Sequence, residues 1–118
     1  PPELVAFNLP SGMAVTGQRG TATPPTQALF LLNNPLVVEQ SRSLAGSLLA
    51  DHEATDETRV ARAYRRTLQR DPGPGEVERA LAHVRNQQDE LSGGDAVVRA
   101  WASFCQALLA SNEFRYID

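Results

Sequence analysis

The chain contains no lysine: all 11 of its basic residues are arginine, within 118 residues and a formal charge of −3. That absence excludes Schiff-base chemistry and the lysine of a phosphate-binding loop. The acidic balance argues against general nucleic-acid affinity, which needs a strong basic excess. With a single cysteine, Cys105, no internal disulfide is possible and no redox compartment can be read from pairing. Nowhere does an apolar run reach the roughly 18 residues that a membrane-spanning helix needs, so direct membrane insertion is not expected. The chain opens Pro1-Pro2 without a methionine, and we expect it to be a segment cut from something longer.

What is present has the balance of a globular domain, with 42% apolar and 21% charged residues. One core suffices at this length. Residues 1–25 are rich in proline, glycine and small polar side chains, and predict an irregular arm. A short strand over Leu4–Leu9 is compatible with this stretch, limited by Pro10 and by the lack of a partner strand. From residue 26 to 118 the pattern is helical, and the fold expected is all-α: a compact bundle of about five helices with the arm in front.

The helix boundaries follow from punctuation. Thr26 can cap a first helix through the apolar run Ala28-Leu29-Phe30-Leu31-Leu32, which must stop where Pro35 disfavours helical geometry at Asn34. Asn34 and Pro35 are then cap and first residue of a second helix running to about Ala50, with Val37, Ser41, Leu44, Ala45, Leu48 and Leu49 inward. Thr55 or Asp56 caps a third, carrying Val60, Tyr64, Thr67 and Leu68 inward. Asp71-Pro72-Gly73-Pro74-Gly75 breaks the chain, and Pro74 opens a fourth helix with the stripe Val77, Leu81, Val84, Gln88 and Leu91. Ser92-Gly93-Gly94 ends it. Asp95 caps a fifth helix to about Ser111, whose face Val97, Trp101, Phe104, Cys105, Leu108 and Leu109 is apolar enough to place it at the centre. Phe114, Tyr116 and Ile117 are expected to fold back on the core as a tail.

Chemistry is sparse. Gly12 and Gly17 have phosphate-loop spacing, but Gln18 and Arg19 replace the required lysine and hydroxyl residue. His52 falls in a loop beside Asp51 and Glu53, and adjacent loop side chains rarely converge on one ion. His83 falls on the outward face of the fourth helix. Cys105 lies in an apolar stripe, where a thiol is inert packing. No Gly-x-Ser-x-Gly is present. Arg59, Arg62, Arg66 and Arg70 line one face of the third helix and could grip phosphate, sulfate or carboxylate. The alternative, which we favour, is a solvated face pairing with acids such as Glu57, Asp71 or Glu76. No catalytic, metal-binding or cofactor-binding residue is assigned.

The order Phe7-Asn8-Leu9-Pro10, Thr16-Gly17-Gln18-Arg19, Pro25-Thr26-Gln27-Ala28-Leu29-Phe30-Leu31-Leu32-Asn33-Asn34-Pro35-Leu36-Val37 and Glu39-Gln40 resembles the C-terminal region of a planctomycete-specific family of unknown function. Ala61-Arg62-Ala63-Tyr64, Arg70-Asp71-Pro72, Trp101 and Leu108–Tyr116 extend the resemblance along nearly the whole chain. Its members are large proteins that often carry a cytochrome-c-like segment. The resemblance implies a periplasmic or secreted parent, in a setting of electron transfer or polysaccharide processing. Any haem lies elsewhere in that parent, since this chain has no Cys-x-x-Cys-His.

Three functions are expected in descending order. The first is a non-catalytic packing or interaction module whose partners are the other domains of the parent. The second is half of a site in a parent enzyme or redox protein, lined by Arg19, Gln27, Asn33 and Asn34. The third is anion or sulfated-glycan binding along Arg59, Arg62, Arg66 and Arg70.

Overall fold

The computed structural model describes residues 32–115, with side chains through Asn112. The arm, the possible strand at Leu4–Leu9, residues 26–31 of the first expected helix and the last three residues lie outside that range. Among the described residues the protein is entirely helical, with α1 at Pro35–Ala50, α2 at Asp56–Leu68, α3 at Pro74–Glu90 and α4 at Ala96–Arg115. Leu32 and Asn33 are helical ahead of Asn34.

Each boundary has a local cause. Asn34 adopts an extended conformation and its Oδ1 accepts the Leu36 N–H at 2.8 Å, with Pro35 contributing a ring where no donor is needed. Thr55 caps α2 by accepting the Thr58 N–H at 3.1 Å. At the other end Gln69 turns left-handed, φ 58°, so that its N–H reaches the Tyr64 and Arg65 carbonyls. Gly73 caps α3, and Glu76 reaches back to accept the Gly73 N–H at 2.9 Å. Gly93, at φ 107°, makes the turn into α4 that a residue with a Cβ would resist.

α4 is the axis of the bundle, packing against each of the other three helices and most extensively against α1. Burial therefore runs right round it. Trp101, Phe104, Cys105 and Leu108 are buried on one side, and Ala100, Ala107 and Ala110 on the others, where small side chains let neighbouring backbones approach. Trp101 meets Phe104 edge-on at 5.8 Å, and Tyr64 of α2 is fully buried against the same phenyl ring.

Three expectations are corrected. Val97 shares the angular face of Trp101 and Leu108, but it lies in the first turn of α4 at the edge of the packing and is 47% exposed. The helix also does not stop near Ser111. It continues to Arg115, because Asn112 and Glu113 interrupt the apolar pattern without breaking the backbone. On α3 the deeply buried positions are Ala80, His83 and Val84; Val77 and Leu81 do pack against the core but stay half-buried, as do Gln88 and Leu91. The inward face is turned toward Ala80, whose small side chain allows close approach to α4, and that turn takes His83 in with it.

Candidate functional site

The arginines of α2 are committed within the molecule. Arg59, with a side chain 14% exposed, donates through Nε to the Leu48 carbonyl at 3.2 Å and through Nη2 to the Asp51 carbonyl at 3.0 Å. Those are carbonyls at the end of α1, where helical partners run out and the dipole is negative. The third arm, Nη1, pairs with Asp56 at 2.8 Å. Arg62 pairs with Asp51 at 3.0 Å, and this guanidinium, with the Glu53 N–H, holds the Asp51 carboxyl below its usual range. Arg66 donates to the Ser47 hydroxyl.

Arg70 lies just beyond α2 and forms a two-pronged pair with Glu76, 2.8 Å on each prong, while its guanidinium sits 5.4 Å from the centre of the Tyr64 ring. That hydrogen-bonded pair depresses the Glu76 carboxyl, and burial raises the Tyr64 phenol. Arg65 pairs with Asp71 at 2.6 Å, which lowers the Asp71 carboxyl in turn. The stripe is thus a lacing that ties the end of α1 and the start of α3 to α2.

Two buried groups are held uncharged. Burial pushes the Cys105 thiol up to about 12, so it is no nucleophile at neutral pH. Burial lowers His83 to about 4, and its Nε2 lies 3.0 Å from the Ser103 hydroxyl of α4. His83 is 7% exposed, contrary to the outward position expected for it. A neutral imidazole with a hydroxyl partner is an ordinary core arrangement, and the low pKa makes it a weak general base at pH 7.

Ser103 also lines a shallow groove of about 180 Å³ between α1 and α4. Val38 and Ala102 give it an apolar floor, while Ser41 and Gln106 add polar groups. The Ser41 hydroxyl donates to the Val38 carbonyl at 2.7 Å, and the Gln106 amide donates to the carbonyl of Leu32. The remaining lining residues are Arg42 and Arg99, both exposed. Arg99 stands 3.7 Å from Asp95, and Arg42 has no hydrogen-bonding or ionic partner among the described residues.

A family model described as PSD1, a protein of unknown function (DUF1553), matches residues 1–84. The chain belongs to that family. No curated protein and no solved structure matches it. The PSD1 match covers the arm, α1, α2 and α3 as far as Val84, and stops short of α4. Trp101 and Leu108–Tyr116, which contributed to the resemblance in sequence, therefore lie beyond the matched span.

Within the matched span, Arg19 and Gln27 fall outside the described residues. Asn34 is occupied as the cap of α1, and Asn33 is exposed. Among the described residues no three His, Cys, Asp or Glu side chains converge as metal ligands. The groove arginines and the His83–Ser103 pair were not singled out by sequence. A polar residue read as surface gives no sign of its partner 20 positions later, and the joining of Arg42 to Arg99 depends on how α1 and α4 pack.

Proposed function

We propose that this PSD1 region is a non-catalytic interaction module at the C-terminal end of a larger extracytoplasmic planctomycete protein, with the parent's other domains as its partners. The observation that supports this reading is the commitment of its reactive side chains. The thiol and the buried imidazole are held neutral in the core, and the α2 arginines bind carbonyls and carboxylates of their own chain. Side chains so engaged contribute to shape rather than turnover. Haem or polysaccharide chemistry, on this reading, resides in other parts of the parent.

The test uses the full parent protein with and without this region. Removal is expected to increase hydrogen exchange in the domain that contacts the module, while any redox or hydrolytic rate of the remainder is kept. A turnover that vanishes in the intact parent on a single substitution such as His83→Gln or Cys105→Ser, with the fold retained, would sink the proposal.

A further inference from the structure

We propose that the groove between α1 and α4 binds a compact oxyanion, held between the guanidinium groups of Arg42 and Arg99 with the Ser103 hydroxyl beneath. Two cations line one small concavity, and none of the residues lining it carries a carboxylate. Among the described residues, the one ion pair either arginine makes is Arg99 with Asp95, at 3.7 Å and outside the groove lining. This sets Arg42 and Arg99 apart from the α2 arginines, which are paired at 2.6–3.0 Å where they meet carboxylates.

Guanidinium forks match the geometry of sulfate, phosphate and carboxylate oxygens, and a bound anion relieves the repulsion between two like charges. Ser103 completes the arrangement through its buried partner. When neutral His83 carries its proton on Nε2, Ser103 accepts that hydrogen bond and turns its own proton into the groove. A dianion gains from both cations, so sulfate and phosphate bind more tightly than acetate. The site does not depend on the interaction-module reading, and it differs from the α2 arginine face.

The experiment titrates the protein with sodium sulfate, sodium phosphate and sodium acetate at low ionic strength, following binding by calorimetry and the ring-nitrogen resonances of His83 by NMR. Sulfate and phosphate are expected to bind and to move the His83 signal, with acetate weaker. Arg42→Gln and Arg99→Gln are each expected to weaken sulfate binding by about tenfold, the scale of a charge-assisted hydrogen bond. Arg85→Gln, an exposed arginine on α3 that does not line the groove, is expected to leave binding unchanged. Thermal melts of all three variants check that the fold is retained. Absence of binding, or binding that survives the Arg42→Gln/Arg99→Gln double variant and falls instead with Arg62→Gln, would overturn the proposal.

Discussion

The end of α1 and the groove along its middle both present arginine, and they use it in opposite ways. At the end, Arg59 is largely covered and spends its donors on two backbone carbonyls and a carboxylate, with Arg62 and Asp51 beside it. In the groove, Arg42 and Arg99 are exposed, and among the described residues the one ionic partner of either is Asp95, 3.7 Å from Arg99. The same side chain acts as mortar in the first place and remains available in the second. What separates the two cases is the supply of unsatisfied carbonyls and acids where the chain turns, since carbonyls in mid-helix already accept the N–H groups of the helical ladder.

The sharpest way to test that contrast is acid, because the two regions respond in different pH windows. The groove side rests on His83, whose pKa falls from 6.5 to about 4 on folding. A depressed histidine contributes stability that is complete above pH 6.5 and is lost as the pH falls toward 4. A difference of that size corresponds to about 3 kcal/mol. Denaturant midpoints measured between pH 7 and 4 should fall accordingly, and His83→Gln should flatten that limb. The laced side answers later. Asp51, Asp71 and Glu76 are depressed from 3.8, 3.8 and 4.5, so their contribution is present above those values and disappears only as the pH drops through the lower folded ones.

Substitution at the laced end comes next in size. Arg59→Ala uncovers two carbonyls at the end of α1 and should cost about 2 kcal/mol in urea unfolding. An unchanged midpoint would show that water replaces the guanidinium without loss. Glu76→Gln keeps an acceptor for the Gly73 N–H but removes the charge that pairs with Arg70, with an expected cost of about 1 kcal/mol. Gln69→Gly tests the backbone of the same region without altering charge. It relieves a left-handed residue and should raise stability by about 0.5–1 kcal/mol. The smallest effect belongs to the groove, where Arg42→Ala should move stability by less than about 0.5 kcal/mol. A larger loss would mean that Arg42 is also mortar.

How much of this the sequence displays depends on the kind of signal. Asn34-Pro35, Thr55 and Gly73-Pro74 state their roles in single residues, so the starts of α1, α2 and α3 are legible, as is the central place of the apolar α4. The end of α4 is not, because nothing between Ser111 and Arg115 is incompatible with helix. Arg59 reads as one member of a charged stripe, since the carbonyls it binds are common to every residue and leave no trace in side-chain pattern. His83 reads as surface for the converse reason. Its burial depends on Ala80 drawing α3 close to α4 and on Ser103 lying opposite.

The central position of α4 also has a consequence for synthesis. It leaves the ribosome after the other three described helices, and α1 and α3, which do not pack on one another, both wait for it. Until it emerges, Leu48, Val60 and Tyr64 lack much of the partner surface that covers them in the finished fold. The Gln106 amide then joins the Leu32 carbonyl across 74 positions of sequence. Closing so long a loop is entropically unfavourable before the core exists. The nascent bundle is therefore most exposed to chaperones and proteases in the interval between the appearance of α3 and the arrival of α4.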